Sequence, residues 1–397
     1  MDEASARIVR LAADLKGRLG DFCRRHFAVF TIYGVWKILL LRTMVVANSA
    51  SDSSQNEWNR YVIKDNHFWA APFANWDGQH YLLLAKDGFA AGRDDSLAFY
   101  PLFPILTKLA SLFTADVFLA AFAITTLFGL LFLLLFHSTL ERLAFSHEQS
   151  LWAVVLVLAY PSAFFLTAFY SESVALFVIM GFFYFYAVRK EKVSILFALL
   201  LPWAKGQGLF LGALLVLDVA VGIMRRQRKA ILFATLNLLA VGVGALSLLV
   251  FYKLMTGNAF AQIDAQKHFV FNLSISNMFS PSHFLLRFYS ASQELFAYNN
   301  GIVDKLFIGF TFLAFCPVAF GKDWRIIFIY LALVLPAATM GDGGSFVRHS
   351  LLIWPFIVLS IVRQKLLGRM ALCVCTGLLF MVQLYFATRF AGNLWVG

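Results

Sequence analysis

Residues 116–137 read DVFLAAFAITTLFGLLFLLLFH, and nearly every one of them is apolar. A helix of about 20 such residues crosses the hydrocarbon core of a bilayer, which is about 30 Å thick. Similar runs recur almost to the end of the 397-residue chain, of which 60% is hydrophobic and only 14% charged. A soluble domain carries about 25% charged residues. The sequence therefore predicts an all-α polytopic membrane protein.

The apolar runs divide into eleven predicted spans. Residues 193–224 are short for two spans, yet Pro202 and Gly206-Gln207-Gly208 interrupt them, so we predict a broken helix pair there. One long tilted helix in this place would give ten spans and move every later loop to the opposite side. The predicted spans are 27–47, 116–137, 150–168, 172–188, 193–203, 207–224, 230–255, 303–320, 325–340, 346–362 and 370–389.

Positive charge selects between the two arrangements. With eleven spans, more than half of the Lys and Arg residues lie on one face, which the positive-inside rule assigns to the cytoplasm. With ten spans, two of the clusters would face outside. The net charge of +11 thus reports topology, and no nucleic-acid partner is indicated. The main basic clusters lie within 1–26, 189–192, 225–229 and 363–369.

We predict one integrated membrane domain over residues 1–397, because no internal repeat or low-complexity linker divides the chain. Residues 1–26 mix basic and apolar positions, which is typical of an amphipathic interfacial helix. Residues 48–112 form the first outer loop, in which Pro101 and Pro104 predict that the apolar run 97–112 is interfacial or re-entrant. Residues 256–300 form a second outer loop with short interfacial helices.

The four cysteines indicate neither a disulfide framework nor a metal site. Cys316, Cys373 and Cys375 lie within apolar runs, Cys23 stands alone, and no CxxC pair occurs. We expect them to be small buried side chains.

Five unusual polar motifs fall on the outer face of the eleven-span arrangement, which was built from hydropathy and basic clusters alone. Ionisable groups at membrane depth are costly and usually mark function. Their convergence predicts a cavity at the outer surface. The motifs are Trp76-Asp77-Gly78-Gln79-His80-Tyr81, Tyr170-Ser171-Glu172-Ser173, Trp203-Ala204-Lys205-Gly206-Gln207-Gly208, the stretch Gln262 to His268, and Gly341-Asp342-Gly343-Gly344-Ser345-Phe346-Val347-Arg348-His349.

Asp77 is the central candidate for catalysis. A carboxylate can accept the proton of an attacking hydroxyl, although Asp77 before an apolar run also fits a helix N-cap. His80 lies three residues later, on the same helical face. It could orient the carboxylate, bind phosphate, or be an interfacial ring satisfied by water. His67 and His80 alone do not form a specific metal-binding pattern.

Three further charged residues are candidates for substrate binding. Glu172 begins an apolar helix, where a purely structural role at the positive end of the helix dipole is the alternative. Lys205 is a lone cation among glycines that permit close backbone approach, which suits a phosphate. Arg348 offers a bidentate fork for phosphate oxygens. The alternative for Arg348 is a side chain at a helix end that reaches to the membrane surface.

Several short segments occur in an order that is typical of one family. They are Trp76-Asp77-Gly78-Gln79-His80-Tyr81 through Gly88-Phe89, Phe99-Tyr100-Pro101-Leu102-Phe103-Pro104, Pro161-Ser162-Ala163-Phe164-Phe165 with Tyr170-Ser171-Glu172-Ser173, Thr256-Gly257-Asn258 to Gln266-Lys267-His268, and Arg348 ahead of Pro355. In these segments the chain resembles the PIG-V-type mannosyltransferases, relatives of GPI mannosyltransferase II in the GT-C class. Ala259 and Lys205 depart from the family pattern, which has Pro and often Arg at these positions.

The resemblance implies a GT-C-like helical bundle and an inverting transferase that uses a polyprenyl-phosphate sugar, with mannose as the sugar. Asp77 would be the general base, and Lys205 and Arg348 would hold the donor phosphate. His80, Glu172 and Gln266 would position substrate, and the polyprenyl tail would lie between helices, open to membrane lipids. The acceptor would be a lipid, a glycolipid or another hydroxyl. No cofactor is implied, although some GT-C enzymes use a divalent metal.

The expected location is a bacterial inner membrane, with the site facing the periplasm or exterior. A transporter or flippase of a lipid-linked sugar is the alternative function. A transporter would also have an apolar groove for the lipid tail and buried cations. In a transporter, however, polar residues are expected along the whole membrane depth. A non-enzymatic assembly subunit is a further alternative. Loss of sugar transfer in a variant that lacks a single carboxylate would count against it.

Overall fold

The computed structural model describes residues 3–50, 69–90, 95–267, 276, 280–289, 294–296, 301–320, 323–339 and 345–396. Over these residues the chain is all-α and contains no strand. The helices are α1 (Glu3–Ser49), α2 (Asp77–Asp87), α3 (Leu102–Thr114), α4 (Val117–Arg142), α5 (His147–Ala159), α6 (Glu172–Ala187), α7 (Glu191–Ala204), α8 (Gly206–Phe210), α9 (Gly212–Met224), α10 (Arg228–Thr256), α11 (Ala261–Gln266), α12 (Pro281–Tyr289), α13 (Ile302–Leu313), α14 (Phe315–Phe320), α15 (Trp324–Thr339), α16 (Phe346–His349), α17 (Trp354–Arg363) and α18 (Arg369–Ala391).

Within the described residues, six helical segments are long and apolar enough to cross a membrane, and a bent pair makes a seventh if it is counted as one span. The bent pair joins Phe346–Leu352 to Trp354–Arg363 at an angle of 53°. The chain is therefore an integral, polytopic, all-α membrane protein, as predicted. The six segments are Gly20–Ser49, Val117–Arg142, Gly206–Met224, Arg228–Thr256, Ile302–Phe320 and Arg369–Ala391.

Every one of the eleven predicted spans coincides with a helix or a pair of helices, but some of these helices are short. The apolar helices α5, α6 and α15 have 13, 16 and 16 residues, and α7 has 14. About 20 residues are needed to cross the hydrocarbon core. The count of eleven therefore stays a prediction.

The predicted break within 193–224 is confirmed, and it falls at Lys205. Lys205 has extended backbone angles (φ −169°, ψ 150°) between α7 and α8. Glycine is required on its C-terminal side. A Cβ at Gly206 would overlap the Tyr100 hydroxyl, and a Cβ at Gly208 would overlap the Leu201 carbonyl. Close packing at the break thus presents the Lys205 side chain to the protein interior.

The centre of the bundle is formed by α6, α17 and the segment before α6. Most residues of α6 and α17 are buried on all sides, which explains their continuous apolar sequences. Tyr160 stacks on Trp354 with ring centroids 4.4 Å apart, and its hydroxyl donates to Ser350 Oγ at 2.8 Å. This core fixes the start of α6 and the 345–350 segment against each other.

The two ends of the bundle differ in their contacts. At the basic end, Arg25 pairs with Glu141 at 2.7 Å and Arg369 with Glu148 at 2.9 Å. At the other end, Asn75 Nδ2 donates to the carbonyl of Phe390 at 2.8 Å, so the C-terminal end of α18 lies beside the first polar motif. We call this second end the site end. At each end, segments that were predicted to lie on the same side of the membrane therefore contact one another.

Two predictions concern the N-terminal segment and the first loop. They are an amphipathic interfacial helix over residues 1–26 and an interfacial or re-entrant run over residues 97–112. Residues 3–49 form one continuous helix, so no break separates the predicted amphipathic segment from the first span. The side chains of residues 1–16 lie outside the described structure. The run 97–112 is a 3₁₀ turn at Ser96–Ala98 followed by the apolar helix α3, which begins directly after Pro101. Residues 51–68 of the predicted outer loop also lie outside the described structure.

The expectation that the cysteines are buried was wrong. Cys23, Cys316 and Cys373 are exposed and Cys375 is half-buried. Their helices lie at the edge of the bundle. In a membrane protein an apolar run can face lipid as readily as the core, so hydrophobicity alone does not predict burial.

Sidedness can be tested by labelling cysteines introduced at the start of α10 and directly after α11. In a cysteine-free background, we expect Lys267→Cys to react with a membrane-impermeant reagent in intact spheroplasts. Lys229→Cys should react only after the membrane is opened, because basic clusters stay inside. Position 60, outside the described residues, should behave like position 267. Labelling of position 229 in intact spheroplasts would contradict the predicted orientation.

Candidate active site

Four charged side chains from distant segments meet at the site end, and we call them the charge cluster: Asp77, Glu172, Lys205 and Arg348. Arg348 Nη1 pairs with Asp77 Oδ2, and its Nε lies 3.3 Å from Glu172 Oε1. Lys205 Nζ pairs with the same Glu172 oxygen. The result is an alternating chain of acid and base with no net formal charge. All four residues were predicted site residues, and the structure brings them together.

The backbone around Asp77 places its carboxylate in the cluster. Helix α2 starts at Asp77, but its N-cap is Trp76, and no side chain caps it. The interpretation of Asp77 as a helix cap was therefore wrong, because its carboxylate pairs with Arg348. Trp76 has φ 56°, a left-handed conformation that bulky residues rarely adopt and that clusters at functional sites.

Tyr170 ties the Asp77 backbone to the bundle core. Its hydroxyl accepts from the Asp77 amide at 3.1 Å and donates to the Asn75 carbonyl at 2.9 Å. Gly78 allows this approach, since a Cβ there would lie 3.3 Å from the Tyr170 ring and 3.2 Å from the Phe73 carbonyl. The start of α2 is therefore held rigidly against the segment that precedes Glu172.

Glu172 is the hub of the charge cluster. It is completely buried, and its Oε1 contacts both cations. Its other oxygen, Oε2, is buried and has no hydrogen-bond partner. Buried polar atoms are nearly always paired, so Oε2 is a candidate contact for a substrate hydroxyl. The position at the start of α6 was predicted, and the ion pairs add two contacts to the charge at the helix end. Its role in substrate binding stays a prediction.

Arg348 points inward, so its interpretation as a side chain reaching to the membrane surface was wrong. Only 11% of its side chain is exposed, and its guanidinium carbon lies 5.3 Å from the centroid of the Tyr170 ring. Ser345, with φ 65°, turns the chain into α16 just before it. Residues 341–344 of the same motif lie outside the described structure.

His80 and Gln266 contact the turn at residues 96–99, beside the charge cluster. His80 Nδ1 is 2.8 Å from Ser96 Oγ, and its ring stacks on Phe99 at 4.9 Å. Gln266 donates to the carbonyl of Ala98 at 2.6 Å, as Gln262 does at 3.0 Å. Both predicted residues thus hold the 96–99 turn beside the cluster.

Burial lowers the pKa of His80, against the opposing effect of the charges on Asp77 and Asp95. Because this pKa lies below the ordinary histidine value of 6.5, the ring stays neutral in the folded protein down to a more acidic pH. A neutral ring suits a hydrogen-bonding role better than a fixed phosphate counter-charge.

The structure adds site residues that we did not single out from the sequence. The Tyr81 hydroxyl is 2.8 Å from Ser171 Oγ, which links α2 to the start of α6. Gln207 Nε2 lies 3.1 Å from His349 Nδ1, which links α8 to α16. Each of these residues stands inside one of the polar motifs, so motif membership was the available signal. His67 and His268 lie outside the described residues.

The arrangement has the elements of a site for an anionic substrate. Two carboxylates, a guanidinium and an ammonium group are held close together and mostly buried at the site end of the bundle. Neither the known protein-family models nor the curated proteins give a match to this chain. The family resemblance therefore stays a prediction from the quoted motifs, and the chemistry of the cluster has to be argued from its own geometry.

Proposed function

We propose that the protein is a membrane glycosyltransferase that moves a sugar from a polyprenyl-phosphate donor to an acceptor hydroxyl. The observation that carries this proposal is the charge cluster, in which Asp77, the predicted base, is joined to Arg348 and through Glu172 to Lys205. Mannose is the sugar, following the motif resemblance. The site faces the non-cytoplasmic side, following the positive-inside prediction.

In the proposed reaction, Asp77 accepts the proton of the acceptor hydroxyl as its oxygen bonds to the anomeric carbon. The bond from that carbon to the phosphate oxygen breaks, and the polyprenyl phosphate leaves with the electron pair. The anomeric configuration inverts, because the attack comes from the face opposite the leaving group. Asp77 keeps 15% of its side chain exposed, which leaves it accessible to a hydroxyl.

The ion pair between Arg348 and Asp77 couples proton transfer to Asp77 with departure of the polyprenyl phosphate. When Asp77 takes the proton, its negative charge is lost and the guanidinium loses a partner. At the same moment the leaving phosphate gains charge, which Arg348 can stabilise through its other N–H groups. Lys205 is more deeply buried and pairs with Glu172, so we assign it chiefly to holding Glu172 in place.

This assignment refines the expectation that both cations bind the donor phosphate equally. A free cation attracts phosphate directly, whereas a paired cation does so only as its partner is neutralised or displaced. Arg348 has more N–H groups and greater exposure than Lys205. We therefore expect Arg348 to contact the donor phosphate directly. Lys205 should act indirectly, through its ion pair with Glu172.

The proposal is tested with purified protein in lipid nanodiscs, polyprenyl-phosphate mannose and a panel of lipid and glycolipid acceptors. The expected result is transfer of mannose with release of polyprenyl phosphate, measured by mass spectrometry. A sugar-translocation assay in proteoliposomes provides the comparison. Translocation without transfer to any acceptor would favour the transporter or flippase instead.

Two variants of Arg348 distinguish the contribution of its positive charge from that of its planar guanidinium group in binding the donor phosphate. Arg348→Ala should lower kcat/KM for the donor by about 100-fold, because a charge-assisted contact to the leaving group is lost. Arg348→Lys should be impaired less, since it keeps the charge without the planar fork. Steady-state kinetics with donor and acceptor varied separately provide the measurement.

The matched control for these variants is Arg389→Ala, which removes an arginine that packs over Phe296 at the same end of the protein. It should leave the donor kinetics unchanged. Equal kinetics for Arg348→Ala and the wild type would show that Arg348 is structural. The phosphate would then be held by backbone amides or a metal.

A further inference from the structure

We propose that the basic end of the bundle carries a binding site for a divalent transition metal of the zinc type, formed by His137, Glu141 and His147. The site lies at the opposite end from the charge cluster and is independent of the proposed transfer reaction. A ring nitrogen from each histidine and a carboxylate oxygen from Glu141 all lie within 4.8 Å of one another.

The spacing of the three residues suits a metal. His137 and Glu141 are one helical turn apart on α4, so their side chains share a face. The distance from His137 Nδ1 to Glu141 Oε2 is 3.8 Å. Ligand atoms around a tetrahedral zinc lie about 3.3 Å apart. The three side chains therefore have to draw closer together when they bind the metal.

The backbone holds His147 in place from the neighbouring helix. His147 is the first residue of α5 and directly follows the N-cap, Ser146. Ser146 and Gln149 form a capping box around it, in which Gln149 N donates to Ser146 Oγ at 3.2 Å and Ser146 N donates to Gln149 Oε1 at 3.0 Å. This cap fixes the direction in which α5 leaves the turn. The metal would join α4 to α5 across that turn.

The second observation is an unsatisfied histidine inside the group. His137 is fully buried, and neither of its ring nitrogens has a hydrogen-bond partner. Leaving a buried polar group unpaired costs about 1–3 kcal/mol. A neutral imidazole without a partner presents a lone pair, which is what a metal requires. His26, whose ring centroid lies 5.1 Å from that of His137, has an unpartnered Nδ1 as well.

The donor set identifies the class of metal. Two imidazoles and one carboxylate are typical of zinc and similar first-row ions, whereas calcium and magnesium prefer oxygen ligands only. Arg25 donates to Glu141 Oε2 at 2.9 Å, the same oxygen that lies 3.8 Å from His137 Nδ1. Because a carboxylate has lone pairs on both oxygens, this contact orients Glu141 and still leaves it free to bind a metal. Three protein ligands leave a fourth position for water or for His26.

The test uses the full chain, purified with a tag that contains no histidine, stripped with a chelator and titrated with zinc chloride in a calorimeter. We expect a single saturable site and a zinc-dependent rise in the unfolding temperature. Cobalt should give the visible absorption of a tetrahedral site, which surface-bound cobalt lacks. His147→Ala and Glu141→Gln should each weaken zinc binding by at least about tenfold.

Glu148→Gln is the matched control, because this neighbouring carboxylate pairs with Arg369 instead. It should bind zinc like the wild type. His147 is exposed at a helix start, so its replacement should leave the unfolding temperature of the metal-free protein unchanged. Unchanged zinc affinity in both ligand variants, or equal losses in the control, would overturn the proposal.

Discussion

Replacing Asp77 with Asn should lower the rate of sugar transfer by about 10²–10⁴-fold, the range attributed to general acid–base catalysis. Asn has the same shape but cannot accept the proton of the attacking hydroxyl. Its amide oxygen can still accept a hydrogen bond from Arg348, which keeps its second carboxylate neighbour, Glu172, at 3.3 Å. Expression should therefore stay close to wild type, and the loss of thermal stability should be smaller than for Glu172→Gln, because Asp77 keeps 15% of its side chain exposed and contacts one cation instead of two. Transfer rate and unfolding temperature are measured on the same preparation.

Asp87→Asn is the control for this variant, since Asp87 is an exposed carboxylate at the other end of helix α2. It should transfer sugar at the wild-type rate. Near-normal turnover by Asp77→Asn would refute the assignment of Asp77 as the base. Loss of folding in Asp77→Asn would instead show that the pair with Arg348 is chiefly structural.

Replacing Glu172 with Gln should destabilise the protein by about 3–5 kcal/mol, the usual cost of breaking a buried ion pair from one side. Glu172 is completely buried and contacts both Lys205 and Arg348. Without its charge, the four-residue cluster carries an uncompensated positive charge in a medium that solvates it poorly. Thermal and denaturant unfolding in detergent provide the measurement.

A double replacement distinguishes lost charge balance from lost packing. Glu172→Gln combined with Lys205→Met removes one charge of each sign, so the double variant should be more stable than Glu172→Gln alone. Ser173→Ala is the control, because Ser173 is equally buried and its hydroxyl has no partner. It should be nearly neutral. Equal stability of Glu172→Gln and wild type would mean that the ion pairs of Glu172 do not stabilise the fold.

The fold class and much of the site were predictable from the sequence. Apolar runs located the helices, and Pro202 with the glycines that follow Lys205 predicted the break between α7 and α8 that the structure confirms. The polar motifs located Asp77, Glu172, Lys205 and Arg348, which do meet. Hydropathy, helix-breaking residues and isolated charges in apolar surroundings are local properties, so they can be read along the chain.

Which charged groups pair was decided by the tertiary structure alone. Asp77 and Arg348 are 271 positions apart in sequence, and their contact depends on how α2 and α16 pack around Tyr170. The same packing sets His80 and Gln266 against the 96–99 turn. It also buries His137 beside Glu141 and His147. Local sequence determines that a helix forms and where it ends. The neighbour that each of its faces meets depends on the relative positions of all helices, because ion pairing and burial act between residues that only the assembled bundle brings close.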